Sequence, residues 1–323
     1  MIKYEVLYQD LLIQLKNRIR QNSTLVTKLV DILSLEKMAV YRRLRKEVPF
    51  TFEEIVLIAK EFNISLDSML GVDARTTLPF RFKSLDDEHP VEVDYQLLEE
   101  YLQAIKRVVS DSAGEISTVV NLLPQLLYTG FKHIYKFYYF KWQYYSIPSN
   151  KTKSYHEIIF SERLIQIVNE IFENSKNIKT NYFILDNRVF KNFVNDVAFF
   201  NNIRLINDED ISLIKQELFL FLDYMENIAI KGFNDNPSNK VFIYISETSI
   251  DTSYSCIDSK SYLRFTLIWS FIFNSILSFE EDAFILMKNR VRSLIRTSIL
   301  LSVTGEKQRT QYFEEQRKIV EQL

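Results

Sequence analysis

The chain has 323 residues, room for about two or three domains of ordinary size, and 47% of them are hydrophobic, which supplies a sizeable core and excludes global disorder. A formal net charge of -2 excludes a molecule that binds polyanions over its whole surface, so any nucleic-acid footprint has to be local. The single cysteine, Cys256, excludes an intramolecular disulfide and a cysteine zinc cluster, and reads as a small buried apolar side chain.

Five glycines and six prolines in the whole chain favour long helices over many tight turns. The opening Met1-Ile2-Lys3-Tyr4-Glu5 lacks the basic-then-apolar pattern of a signal peptide. Tyr4–Arg20 then repeats Leu7, Leu11, Leu12, Leu15 and Ile19 at helical spacing. Gln21-Asn22-Ser23 breaks that helix, and Thr24 is placed to cap a second one running through Ile32. Ser34 sits in a short turn before a third helix over Leu35–Lys46, which Pro49 stops. Thr51-Phe52-Glu53-Glu54 has the form of a capping box opening a fourth helix, with Ile55, Ile58, Ala59 and Phe62 on one face. Asn63-Ile64-Ser65 leads to a last short helical turn, Leu66–Leu70, closed by Gly71.

The third helix carries the chemistry. Val40 and Leu44 lie one turn apart and can dock on the second helix, which leaves Lys37, Tyr41, Arg42 and Arg45 projecting elsewhere. Lys37, Arg42, Arg43, Arg45 and Lys46 stand against a lone Glu36 within it, while Glu47, Glu53 and Glu54 follow close behind. A short turn before a basic helix, with a buried helix behind it, is the geometry that pushes one helix into a major groove. Arginine can pair with both acceptors of guanine and lysine can meet phosphates; the same basic face could also simply be solvated.

Residues 72–91, with Thr-Thr, two prolines and the acidic Asp86-Asp87-Glu88, lack helical periodicity and read as a linker. The expected division is therefore 1–71, the linker 72–91, and a larger domain over 92–323. Helices are expected at Asp94–Ser110, Glu115–Tyr128, Phe131–Tyr145, Ser161–Glu173, Asn187–Asn201, Glu209–Ile230, Ser261–Phe279, Glu281–Leu301 and Thr310–Gln322. Val241–Ile245 and Thr252–Ile257 alternate with period two and read as a paired β-hairpin. The apolar Phe265–Phe279 is short of the ~20 residues that cross a bilayer and is flanked by Arg264 and Glu280, so it reads as a buried core helix. With no signal peptide and no span, the expectation is a cytoplasmic protein without a membrane partner.

The larger part is quiet chemically. It has no P-loop, no dinucleotide fingerprint and no Gly-x-Ser-x-Gly elbow. His89, His133 and His156 lie far apart without metal-ligand spacing, and Glu280-Glu281-Asp282 reads as an acidic helix start favoured by the macrodipole. No cofactor, metal or catalytic group is expected. The aromatic run Ile134–Tyr145 fits core packing, with a subunit interface and an apolar ligand pocket as alternatives. Glu306 and Arg309, three apart, are placed to form a helix ion pair.

The order of elements in the first 71 residues resembles the lambda-repressor-like (Cro/CI, or XRE) helix-turn-helix family. The matching positions are Leu29, Leu33, Leu35 and Val40, followed by Phe50-Thr51-Phe52-Glu53-Glu54 and the run Ala59 to Asp67. Ser34 departs from the family's usual glycine and Val30 from its usual alanine. Tyr41-Arg42-Arg43 is similar to a subgroup of long bacterial regulators, as are Asn121–Tyr128 running into Phe137–Trp142, and Ser302–Arg309 followed by Tyr312-Phe313. The resemblance implies a five-helix DNA-binding domain and an all-helical effector or dimerisation region. It also implies that Lys37, Met38, Tyr41, Arg42 and Arg45 face base edges while Arg43 and Lys46 meet phosphate or solvent; Tyr41 could equally pack at the domain edge.

The expected protein is mainly α, with an N-terminal Cro/CI-like five-helix domain and a larger helical domain containing a small β-hairpin. Its expected function is sequence-specific binding of double-stranded DNA as a homodimer, because one such domain covers half of a palindromic site. The alternatives are a helix-turn-helix that recognises a protein partner instead, and an enzyme using the C-terminal domain. Whether that domain takes an effector is open at this level.

Overall fold

The computed structural model describes every residue except 1–3, 20–21, 63, 65, 67–80, 84–91, 147–152, 260–262 and 272–273. The helical periodicity at the N-terminus becomes four helices, α1 (Tyr4–Arg18), α2 (Asn22–Leu33), α3 (Lys37–Leu44) and α4 (Phe52–Glu61). Leu11 and Leu15 of α1, Leu25 and Leu29 of α2, Val40 of α3 and Ile58 of α4 close a core of their own, together with Phe50 and Phe62. The anticipated fifth helical turn, Leu66–Leu70, lies outside the described residues apart from Leu66, which packs against this core.

The expected linker lies mostly outside the described residues, but Arg81–Lys83 within it forms a strand, β1. Next come α5 (Glu92–Ser110), β2 (Glu115–Val120), the short α6 (Gln125–Tyr128), α7 (Lys132–Ser146) and α8 (Glu162–Ser175). They are followed by β3 (Thr180–Asp186), α9 (Val189–Asn202), α10 (Asp208–Lys231), β4 (Lys240–Ser246) and β5 (Tyr254–Ser259). The chain ends with β6 (Leu263–Phe271), β7 (Asn274–Ser278), α11 (Glu281–Thr297), β8 (Ser298–Leu300) and α12 (Glu306–Glu321). The protein is mainly α-helical, an N-terminal helix bundle followed by a larger helical region in which a sheet is embedded. Among the described residues no helix is long and apolar enough to cross a membrane.

The sheet has the order β1-β7-β6-β5-β2-β3-β4-β8. Its centre, β2-β3-β4, is parallel, and the flanking pairs are antiparallel. One face carries the main core, built with α5, α7 to α10 and α12. The other is packed by α11, whose Phe284, Met287 and Val291 meet Val119, Ile184, Tyr254 and the buried Cys256. Glu280 stands just before α11, with Glu281 and Asp282 in its first turn, as the acidic helix start required.

Three readings of the sequence are corrected here. Glu115–Val120 is a central strand, not the start of a helix: Ile116, Thr118, Val119 and Val120 are buried on both faces, so no alternation betrays them. Within the segment expected as the helix Ser261–Phe279, Leu263–Phe271 and Asn274–Ser278 are the antiparallel strands β6 and β7, because their Phe, Thr, Ile and Trp residues suit a pleated, half-buried surface better than a helix of the same apolarity. Val241–Ile245 and Thr252–Ile257 do fall on strands, β4 and β5, but these are not partners. Two strands, β2 and β3, stand between them, and the larger region is accordingly not all-helical. The strand β3 was not expected, its short apolar run Tyr182–Leu185 being without alternation.

The aromatic run becomes α7, and its reading as core packing holds. Phe137 and Phe140 are almost fully buried, with ring centroids 4.6 Å from Phe193 and 4.8 Å from Phe200. Glu217 of α10 anchors the start of this helix by accepting the Ile134 N–H at 2.7 Å. Burial raises the Glu217 carboxyl above its ordinary range despite the backbone N–H groups that favour its charge. Phe137→Ala is expected to cost ~3–5 kcal/mol, the range for emptying a closed aromatic site, read as a lower urea midpoint. The expected Glu306–Arg309 pair is also corrected: Arg309 is buried and donates instead to the carbonyls of Leu301, at 2.9 Å, and Val303. Two carbonyls left behind by β8 satisfy it better than an exposed carboxylate would.

Candidate nucleic-acid interface

The turn between α2 and α3 sets the site. Ser34 adopts φ 51°, the left-handed conformation where a glycine is at ease, and Glu36 then leads into α3 from extended backbone. The serine thus makes the same sharp turn as a glycine would, at a cost. Ser34→Gly is expected to raise stability by about 1 kcal/mol, since a β-carbon in this region costs roughly 1–2 kcal/mol and glycine's extra chain entropy cancels part of the gain. A urea midpoint that falls instead would show that the serine side chain stabilises the turn.

Past the turn, Val40 is fully buried and orients α3 so that its opposite side faces solvent. Lys37, Met38, Arg42, Arg45 and Lys46 are exposed, and Tyr41 is half-buried against the N-terminal core. Met38 is 64% exposed, unusual for a large apolar side chain and suited to a thymine methyl group. Arg42 and Arg45 both approach Glu47, their Nε atoms at 3.7 and 3.0 Å, but all three side chains are about half exposed. Such pairs contribute little and are readily exchanged for another anion.

Arg43 is placed differently. Its side chain is 14% exposed, and its Nε and one terminal nitrogen donate to the two carboxylate oxygens of Glu54 at 2.8 and 2.7 Å. Glu54, the third residue of α4, closes the capping box: it accepts from the Thr51 N–H at 2.9 Å, and its own N–H is accepted by the Thr51 hydroxyl. Burial alone would raise the Glu54 carboxyl, but the hydrogen bond and charge of Arg43, with the Thr51 N–H, hold it below its ordinary range. One carboxylate therefore both starts α4 and fixes α3. Tyr8 of α1 is the second brace. Its hydroxyl donates to the Arg43 carbonyl at 3.0 Å and accepts from the Phe50 N–H at 3.2 Å, while its ring stacks on Phe50. Lys46, at φ 65°, ends α3 in the left-handed conformation.

The exposed cations of α3 were readable from their spacing. The braces were not: the capping box announced Thr51 and Glu54, but nothing in the sequence linked Glu54 to Arg43 or Tyr8 to the end of α3. Elsewhere, His133 Nδ1 lies 3.1 Å from the Tyr155 hydroxyl, and among the described residues no group of three His, Cys, Asp or Glu could hold a metal ion.

No curated protein and no solved structure matches this chain. Residues 7–96 match the family model described as the BetR domain, a span that runs from α1 into the first turn of α5. The N-terminal part of the chain is thus similar to the BetR domain, a helix-turn-helix-type bacterial regulatory domain distantly related to the Cro/CI-like regulators.

Proposed function

We propose that this protein is a sequence-specific DNA-binding transcriptional regulator that acts as a homodimer. In this reading residues 1–71 form the DNA-binding domain, 72–91 a linker and 92–323 an effector and dimerisation domain. The observation that carries it is α3: a short basic helix, held by Val40, Tyr8 and Glu54, whose Lys37, Met38, Arg42 and Arg45 are free of the core. Those four reach base edges in the major groove, with Tyr41 at their margin, and Lys46 meets phosphate. Arg43 serves the interface by keeping α3 in place.

The test is fluorescence anisotropy of the full chain with the DNA upstream of its own gene, beside a scrambled duplex, across a salt series. Preference for the upstream duplex, with affinity falling steeply with salt, is the expected result. No binding at low salt would reject it.

Two copies are favoured by the exposed apolar side chains of α4, where Phe52 is 77% exposed, Val56 follows one turn on and Leu57 stands further round the solvent side. The same face supports a second reading, a helix-turn-helix that recognises a protein instead of DNA. Light scattering at micromolar concentration separates them: a dimer that Leu57→Glu dissociates supports the first, and a strict monomer that ignores DNA supports the second.

A further inference from the structure

Between the N-terminal bundle and the sheet lies a cavity of about 670 Å³, within the range of small-molecule sites. Ile19 and Phe62 of the bundle form one wall; Leu97 and Tyr101 of α5 and Leu267 and Trp269 of β6 form the other. Tyr101 meets Trp269 edge-on, with ring centroids 6.3 Å apart, so the floor is aromatic and shaped. The charged lining balances, with Arg18, Lys28 and Arg107 on it beside Glu61, Glu99 and Glu100. One polar atom is unanswered, since Gln125 Oε1, on the lining, is buried without a hydrogen-bond partner among the described residues. A recess of about 30 Å³, room for a water-sized group, opens beside it and shares Tyr101, Gln125 and Trp269.

We infer that this cavity is an effector site for an uncharged, ring-bearing small molecule whose hydroxyl or amide N–H donates to Gln125. The rings stack on the Tyr101–Trp269 floor, the balanced lining gives no preference to either sign of charge, and the recess accepts the donor group. Such a ligand touches both the DNA-binding bundle and the larger region, so its occupancy changes how α3 is held relative to the rest of the chain. This regulatory half rests on the DNA-binding reading above; the binding half does not.

Calorimetry of the full chain without DNA tests the site directly, using 2-naphthol as the uncharged donor, 2-methoxynaphthalene as its donor-free counterpart and 2-naphthoate as the anion. Saturable binding of 2-naphthol, about tenfold tighter than the methoxy compound and the anion, is expected. Gln125→Leu should erase the tenfold preference for the donor while keeping the methoxy compound's affinity, and Tyr101→Ala should weaken all three. No saturable heat with any of them, a preference for the anion, or affinities that ignore both substitutions would overturn the site. In the anisotropy assay, saturating 2-naphthol should change the affinity for the upstream duplex by at least about fivefold. Binding of 2-naphthol with DNA affinity unmoved overturns the effector role. A protein that binds no DNA at all overturns the DNA-binding reading and the regulatory half with it, while the calorimetry alone decides the site.

Discussion

Replacing Arg42 and Arg45 together by alanine is expected to remove ~2–6 kcal/mol of the preference for the cognate duplex over a scrambled one, at ~1–3 kcal/mol for each lost base-edge contact. Both guanidinium groups stand more than half exposed on α3, and Glu47, their partner in the free protein, is itself 47% exposed. Little has to be broken before they engage DNA. For the same reason the double variant should keep its urea midpoint, so loss of binding can be separated from loss of fold. The salt series distinguishes the kind of contact. Base-edge arginines leave the slope of log affinity against log salt nearly unchanged, whereas each lost phosphate contact flattens it by about 0.9. Equal weakening on both duplexes with a flatter slope would move Arg42 and Arg45 to the phosphate backbone. An unchanged preference would remove α3 from the interface.

Glu54→Ala should be the most damaging single substitution in the N-terminal bundle, at ~3–5 kcal/mol by analogy with broken buried pairs. It strands the largely buried Arg43 guanidinium and opens the capping box of α4 in one step. Glu54→Gln keeps an acceptor for Thr51 and should cost less. The pH dependence follows from the sign of the shift. The folded-state pKa of Glu54 lies below its unfolded value, so the pair's contribution is fully present above the ordinary carboxylate range, near 4.3. It is lost as pH falls through that value toward the depressed one. Urea midpoints at pH 7 and in the acid range should therefore converge for the native protein and Glu54→Ala. A gap that persists at low pH would assign the damage to packing rather than to charge.

What could be read from the sequence follows from how each element is buried. α5 and α7 to α10 show one apolar face or a dense aromatic run, and their observed bounds lie within a few residues of the expected ones. β2 and β3 are covered on both faces, so β2 buries Ser117 and Thr118 beside its apolar residues, β3 presents the unbroken run Tyr182–Leu185, and neither shows a period of two; β6 with β7 is as apolar as a core helix. Pairing was even less accessible, because β2 finds β5 and β7 finds β1 across most of the region's length. At the site, the exposed residues of α3 were visible because local spacing fixes them. The Tyr8 and Glu54 braces depend on contacts between residues far apart in the chain, which no periodicity records.

The strand β1 ties the stretch between α4 and α5 to the sheet. Arg81–Lys83 pairs antiparallel with Ser275–Leu277 and forms one edge, while the three-residue β8 forms the other. A fragment beginning at Glu92, the natural cut if the two regions were independent, would strip β1 away and leave the backbone of β7 as an open template for another chain. The isolated C-terminal region is then prone to self-association, and a cut placed ahead of Arg81 is the one that keeps it soluble.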